Sequence, residues 1–246
     1  MIAELALLLF LPFLFGLGAL FFARKVEKSV GFILAFSGAY LFGITIAHLL
    51  PEVYSMHLHL IPVWVLGGFV LQLFLDFLSR GVEHGHIHAG ERLNSRLVFS
   101  IMAGLSIHAL LEGIPLGSRP GHLMSLEAHA FHTSLLASIA LHKMPAAFAL
   151  MMILHSCGLP VRKAVWFLLF FAAMSPLSYL LTHLALDQQL FSKETITPVL
   201  ALVAGSFMHI STTIIFESDP SGHQLRYRRL FAILAGLFFA ILPLFF

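Results

Sequence analysis

The segment VFSIMAGLSIHALLEGIPLG, residues 98–117, is apolar throughout except for two serines and, near its middle, His108 and Glu112. An α-helix needs about 20 such residues to cross the hydrocarbon core of a bilayer. An ionisable group at that depth costs roughly 2.5 to 3.5 kcal/mol on insertion scales, so such groups are rare and mark functional sites. The segment therefore predicts a transmembrane helix that carries a site near the bilayer midplane.

The composition extends this interpretation to the whole chain. Of its 246 residues, 59% are hydrophobic and 11% are charged, and the mean hydropathy is +0.94. Soluble domains are about 25% charged, so these values indicate an integral membrane protein. At about 20 residues per span, the length allows about eight helices with short loops, and no stretch is polar enough for a separate soluble domain. We therefore predict an all-α fold of one transmembrane domain over residues 1–246.

The apolar runs place eight spans near 3–23, 30–51, 60–79, 98–117, 132–154, 163–184, 195–216 and 229–245. The first run is interpreted as a retained helix rather than a cleaved signal. Glu4 precedes it, Arg24 and Lys25 follow it, and it is long enough to cross the bilayer.

Basic residues alternate between the connections. Of the 14 lysines and arginines, 11 fall in four alternate connections, within 24–28, 80–96, 162–163 and 226–229. Because positive charge accumulates on the cytoplasmic side, this pattern predicts that both termini are extracytoplasmic. The compact loops favour a bacterial inner membrane, and a eukaryotic organelle or plasma membrane stays an open alternative.

Three side chains are predicted to meet at the bilayer midplane. His108 and Glu112 are four residues apart, so they share one helix face, and His142 lies near the middle of the next, antiparallel span. Neutral imidazoles and a carboxylate are suitable ligands for Zn²⁺ or a similar divalent ion. The single cysteine, Cys157, is a poor basis for a thiolate site.

Prolines accompany these candidate ligands. Pro115 and Pro145 each lie three residues beyond a ligand, and a helical proline frees the carbonyl four residues before it. Freed carbonyls at membrane depth are tolerated where they line protein or a wet cavity. In the sixth span Ser175 precedes Pro176, so Ser175 is a candidate neighbour of the same cavity.

The same residues also have a purely structural interpretation. His108 and Glu112 would be a buried pair bridging helices, and Lys143 would neutralise Glu112 in an ion pair. Alternatively, Lys143 would extend away from the site toward water. The matched depth, the spacing and the paired prolines favour a metal site for the set.

At these residues the chain resembles a known family, the ZIP (Zrt- and Irt-like) divalent-metal transporters. HALLEG at 108–113 resembles the His-[Asn/Ser]-x-x-[Glu/Asp]-Gly motif of the fourth ZIP helix. HKMPAAF at 142–148 resembles the branch with His-Lys-x-Pro-Ala-Ala-Phe in the fifth helix. AHLLPE at 47–52 and AGSF at 204–207 extend the similarity over nearly the whole chain.

The resemblance implies an eight-helix carrier with extracytoplasmic termini that moves Zn²⁺, sometimes Fe²⁺ or Mn²⁺, toward the cytosol. It implies that His108, Glu112 and His142 are the central ligands. Ala109 departs from the usual Asn or Ser, and Lys143 replaces an acidic neighbour that helps other branches hold a second ion. An ammonium there would repel a second cation by several kcal/mol at about 4 Å, so we predict one central ion. A homodimer is possible, and we expect neither an organic cofactor nor a nucleic-acid partner.

Further polar residues are candidates for the ends of the path. His48 and Glu52 lie at the extracytoplasmic end of the second span, where Pro51 is predicted to end the helix before a loop with His57 and His59. His122, His129 and His132 on that side have at most a weak gathering role. The candidates toward the cytoplasmic side are Asp76, His84, His86, His88, His209 and Glu217. A solvated His-rich loop, a core histidine at 209 and an interfacial charge at 76 are the structural alternatives.

Other functions compete with transport. An intramembrane metallohydrolase would usually carry His-Glu-x-x-His or Gly-x-Ser-x-Gly, and neither motif occurs in the sequence. A b-type cytochrome would use facing histidines as haem ligands. A sensor or receptor that binds metal without moving it is the alternative that sequence distinguishes least. We favour a transporter over an enzyme, and expect its uptake to depend on pH because protons compete for the ligands.

Overall fold

The computed structural model describes residues 1–82, 95–118, 126–156, 158–217 and 227–245, and within these ranges the chain is helical with no strand. The helices are α1 (Ile2–Ile44), a π-helical turn (Thr45–Leu49), α2 (Leu50–Ser55), α3 (Ile61–Ser79), α4 (Ser95–Gly117), α5 (Leu126–Ser156), α6 (Val161–Asp187), α7 (Lys193–Glu217), α8 (Tyr227–Ile241) and a 3₁₀ turn (Leu242–Phe245).

Eight segments of the described chain are long and apolar enough to cross a membrane: Ile2–Phe22, Val30–Ser55, Ile61–Ser79, Ser95–Gly117, His129–Ser156, Val161–Asp187, Glu194–Phe216 and Tyr227–Phe245. The predicted all-α fold with eight spans is therefore confirmed. The fifth helix differs most from its predicted bounds, because α5 begins at Leu126 and the prediction placed its start near residue 132.

The first two spans form a helical hairpin. Hydrogen bonding continues from Ile2 to Ile44, but Phe22 has non-helical angles (φ −123°, ψ 15°) and interrupts the helix. Leu8 is buried in the same cluster as Leu41 and Ile44. A straight helix would separate Leu8 from Leu41 by roughly 50 Å at 1.5 Å per residue, so the two halves must fold back on each other.

The prediction that Pro51 ends the second helix is wrong. The helix passes through the π-helical turn, in which the N–H of Leu50 bonds to the carbonyl of Thr45. It then continues as α2 to Ser55, with Pro51 in the first turn of α2. Proline has no N–H to donate to the preceding turn, and the π-helical turn lies just before Pro51.

The core places the central residues between two apolar clusters. Ala109 and Ala146 belong to one cluster, whereas Leu116 and Ala140 belong to the other. On both α4 and α5 the candidate ligands therefore lie where the two clusters meet. Apolar packing above and below isolates these polar side chains from water along both helices.

Close helix contacts support this arrangement. A Cβ at Gly113 of α4 would overlap the carbonyl oxygen of Ser175 and the hydroxyl of Ser178 on α6. A Cβ at Gly68 of α3 would likewise overlap the backbone of Leu202 on α7. Glycine permits these helix backbones to approach each other, as is common in membrane bundles. The contact at Gly113 brings α6 against the turn of α4 that carries Glu112.

Candidate metal centre

His108, Glu112 and His142 form a compact group at the centre of the bundle. Their ligand atoms all lie within 4.8 Å of one another, and they are the one such group of three or more found among the described residues. The side chains are 2%, 1% and 1% exposed. The structure thus brings together the three residues that the sequence singled out as ligands.

The distances within this group suit a metal ion. Nε2 of His108 lies 3.1 Å from Oε1 of Glu112, and Nε2 of His142 lies 3.9 Å from the same oxygen. Two ligand atoms, each about 2.1 Å from a tetrahedral Zn²⁺, are about 3.4 Å apart, which lies between these two values. The imidazole rings are perpendicular, with centroids 5.9 Å apart, so both present Nε2 to one oxygen without stacking.

Lys143 lies on the other oxygen of Glu112. Its Nζ is 4.0 Å from Oε2, and the residue is 1% exposed, which excludes the alternative that it extends to water. The ammonium donates to Oγ of Ser175 at 2.5 Å and to the carbonyl of Ala172 at 3.4 Å. Ala172 lies four residues before Pro176 in α6, so its carbonyl has no backbone N–H partner at position 176.

Ser175 connects the ammonium to the carboxylate. Its Oγ lies 3.1 Å from Oε2 of Glu112 and 2.7 Å from the carbonyl oxygen of Ala109. Since a hydroxyl has one proton, it donates to one of these oxygens while it accepts from Lys143. The predicted ion pair and the predicted metal site would therefore use different oxygens of Glu112, because Oε2 faces the ammonium network and Oε1 faces the imidazoles.

Sequence reasoning missed Gln72, which packs against the site from α3. Its Oε1 lies 3.3 Å from Nδ1 of His108, and Oγ of Ser206 on α7 donates to it at 2.7 Å. Gln72 is fully buried. The available signal was an amide side chain within an otherwise apolar span, but nothing in the sequence indicated its partner.

The candidates at the predicted extracytoplasmic end of the second span are not in the central group. Nε2 of His48 lies 3.2 Å from the carbonyl oxygen of Ala240, and its ring stacks on Phe131 at 4.8 Å. Glu52 is half-buried on α2. His48 therefore participates in a packed contact between helices.

A second polar cluster joins the first span to α5 and α6. Nε2 of His132 lies 3.6 Å from Oε1 of Glu4, and the Tyr179 hydroxyl donates to Oε2 of Glu4. The sequence indicated His132 as a weak gathering residue, but it did not indicate either partner. This cluster connects the first span to α5, which carries His142, and to α6, which carries Ser175.

The described candidates toward the predicted cytoplasmic side are not part of the central group. Asp76 is half-buried one turn beyond Gln72 on α3, and His209 is buried with its ring edge-to-face on Phe69 at 4.9 Å. Glu217 is the last residue of α7. His84, His86 and His88 lie outside the described residues.

The described chain combines eight helices that are long and apolar enough to cross a membrane with a buried His–Glu–His group that could hold a metal ion, which defines a polytopic membrane protein with a candidate metal site. Residues 83–242 match the family model of the ZIP zinc transporters, a range that includes all three candidate ligands. The chain belongs to the ZIP zinc transporter family.

Curated relatives show the same relationship. The chain is 31% identical over 168 residues to zinc transporter ZIP9 of Micropogonias undulatus, with 64% of this chain and 51% of the relative covered. It is 31% identical over 168 residues to zinc transporter ZIP9-B of Xenopus laevis, with 64% and 52% covered. For zinc transporter ZIP9 of Macaca fascicularis the identity is 31% over 128 residues, with 49% and 52% covered. The chain spans about half the length of the curated relatives it matches.

Proposed function

We propose that this protein transports a divalent metal cation, Zn²⁺ first, through the site formed by His108, Glu112 and His142. One observation carries the proposal: three metal-ligating side chains converge within 4.8 Å and are almost completely buried in the middle of predicted spans. Membership of a zinc transporter family supports the same function. Fe²⁺ and Mn²⁺ are further candidate cargoes because they accept the same imidazole and carboxylate ligands.

The ligand set suits an ion that must also be released. Three protein ligands leave a fourth position for water or a carbonyl oxygen, whereas closed structural zinc sites use four protein ligands. With neutral imidazoles, Glu112 contributes one negative charge and Lys143 opposes it from 4.0 Å. The site therefore binds a dication with little compensating charge, which favours weak, reversible binding.

The same geometry supports a single central ion. A second cation on Oε2 of Glu112 would approach the ammonium of Lys143, which is 4.0 Å from that oxygen. At about 4 Å, like unit charges repel by roughly 4 kcal/mol at an intermediate effective dielectric, and a divalent ion by more. Lys143 thus occupies the place of a second ion.

The proposal also includes the direction of transport and the membrane in which the protein lies. The distribution of lysine and arginine predicts that both termini lie outside the cytoplasm, and import toward the cytosol by alternating access fits that topology. A bacterial inner membrane is our proposed location, although the named relatives are vertebrate proteins. A homodimer in the bilayer is also proposed.

Two other functions make different predictions. A sensor would bind Zn²⁺ at the same residues without moving it. An intramembrane metallohydrolase would hold a zinc-bound water as nucleophile, but the family match favours transport. A measurement of uptake therefore distinguishes a transporter from a sensor, whereas a measurement of binding alone does not.

The experiment is Zn²⁺ uptake into proteoliposomes by wild type, His108→Ala and Glu112→Ala. His155→Ala is the matched control, because His155 is exposed near the end of α5. We expect wild type and the control to take up Zn²⁺ and both site variants to fall to the level of empty liposomes. Binding without uptake would identify a sensor. Wild type that neither binds nor moves Zn²⁺ would refute the proposal.

A further inference from the structure

The buried amide of Gln72 contacts the central site without facing the group of ligand atoms. Its Oε1 lies 3.3 Å from Nδ1 of His108, the ring nitrogen opposite the one that faces Glu112 at 3.1 Å. Gln72 is 0% exposed. Burying an amide without hydrogen bonds costs free energy, and the contact with His108 reduces that cost.

The proton positions on His108 determine what this contact does. A neutral imidazole carries one N–H, and the other nitrogen holds the lone pair that binds metal. When Nε2 binds the ion, the proton is on Nδ1, and Oε1 of Gln72 is positioned to accept it. The reverse orientation of the amide would direct its NH₂ group at Nδ1 and require the proton on Nε2, where it would block metal binding.

Ser206 on α7 contacts the same amide oxygen. Its hydroxyl donates to Oε1 of Gln72 at 2.7 Å and is itself fully buried. One oxygen thus lies against α4 and α7 at once, and in this orientation the amide nitrogen is turned away from His108. The contact also fixes the imidazole plane relative to α3.

We propose that Gln72 is a positioning residue of the central site, which acts through Nδ1 of His108 and is itself oriented by Ser206. The proposal rests on the proposed function, since it concerns the same ion. Metal-ligating histidines usually donate their second N–H to such a partner, and loss of the partner weakens metal binding by about 10–100-fold.

The neutral charge of Gln72 also affects how tightly the site binds Zn²⁺. A carboxylate at position 72 would accept a hydrogen bond from the same N–H. Its negative charge would make the imidazole more basic and so a stronger ligand to the ion. Glutamine orients the imidazole of His108 without raising its basicity, which suits a site that must release its ion. Gln72→Glu is therefore expected to tighten Zn²⁺ binding, whereas Gln72→Leu is expected to weaken it.

The experiment measures Zn²⁺ affinity by calorimetry on the purified full-length protein, with the melting temperature recorded for each variant. We expect weakening by about 10–100-fold in Gln72→Leu, a smaller loss in Ser206→Ala and tighter binding than wild type in Gln72→Glu. Gln188→Leu is the matched control, because Gln188 is exposed beyond the end of α6. Opposite effects of Glu and Leu at one position distinguish a bond to His108 from mere packing.

Two results would overturn the inference. Either Gln72→Leu binds Zn²⁺ as wild type does, or Gln72→Glu binds as weakly as Gln72→Leu. If Gln72→Leu does not fold, the comparison of Gln72→Glu and Ser206→Ala with wild type decides the question. Wild type that binds no Zn²⁺ refutes the proposed function as well. If binding is lost in His108→Ala but unchanged in the Gln72 variants, only the inference about Gln72 fails.

Discussion

Lys143 and Glu112 are an ion pair at a separation of 4.0 Å, and Ser175 accepts a hydrogen bond from the ammonium at 2.5 Å beside the carboxylate. Both charged side chains are 1% exposed. Breaking such a buried pair by removing one partner is strongly destabilising, because it leaves an uncompensated charge. The two oxygens of Glu112 also differ in their surroundings, because Oε1 faces the imidazoles of His108 and His142 and Oε2 faces the ammonium of Lys143.

Replacing Lys143 by an acidic residue should change the number of ions bound. Lys143→Glu removes the ammonium and adds a carboxylate beside Oε2 of Glu112, so a second cation gains a ligand and loses its repulsion. We expect the metal content of purified protein to rise from one to two central ions per chain, measured by elemental analysis. Lys163→Glu, an exposed position on α6, should leave the content unchanged. Two central ions in wild type would contradict the prediction.

Removing the hydroxyl of Ser175 should destabilise the protein. Ser175→Ala leaves the buried ammonium without its shortest hydrogen bond, at a cost of about 1–3 kcal/mol in the free energy of unfolding. Ser138→Ala is the matched control. Ser138 is equally buried on α5, and within the described chain its Oγ has no hydrogen-bond partner.

Melting curves in detergent would measure the difference between the two serine variants. We expect a lower melting temperature for Ser175→Ala and an unchanged or higher one for Ser138→Ala. Equal shifts would show that the network around Lys143 contributes little to stability.

Adjacent glycines on α3 should respond in opposite ways to the same substitution. A Cβ at Gly68 would overlap the backbone of Leu202, whereas a Cβ at Gly67 would meet nothing within 4 Å. Gly68→Ala should therefore separate α3 from α7, lower the melting temperature and reduce uptake. Gly67→Ala should be neutral or stabilise by up to about 1 kcal/mol, because alanine is the better helix former. Similar melting temperatures for both variants would mean that α3 and α7 do not pack this closely.

Acidification should reduce uptake at fixed Zn²⁺. Metal binding requires His108 and His142 to be neutral and Glu112 to be ionised, so protons compete with the ion for all three groups. Initial rates in proteoliposomes should fall steadily from pH 8 to pH 5 with the free Zn²⁺ concentration buffered. Rates that do not change over that range would count against coordination by these residues.

The spans and the central group could be predicted from the sequence because both depend on local patterns. Each span is an apolar run of sufficient length, and the four-residue spacing of His108 and Glu112 determines a shared helix face. The depth of His142 in the neighbouring span completed the group. No knowledge of helix packing was needed for these predictions.

Other features depend on contacts between distant residues. Gln72 contacts His108 from a position 36 residues away, and Tyr179 contacts Glu4 across 175 residues, so no local pattern identifies either pair. The π-helical turn before Pro51 was missed for a different reason. Its hydrogen bonds extend one residue further than those of an α-helix. The hydropathy of the sequence gives no indication of that difference.

The pairing of Glu112 with Lys143 also has a consequence for the proposed transport cycle. With both imidazoles neutral, the two charges cancel, so the empty site presents no net charge to the hydrocarbon. We therefore expect the unloaded carrier to return to the outer face without a sodium ion or a proton in place of zinc. Each turnover would then move two elementary charges inward. An inside-negative potential imposed on liposomes by a potassium gradient should accelerate entry, and entry insensitive to voltage would show that another ion compensates the charge.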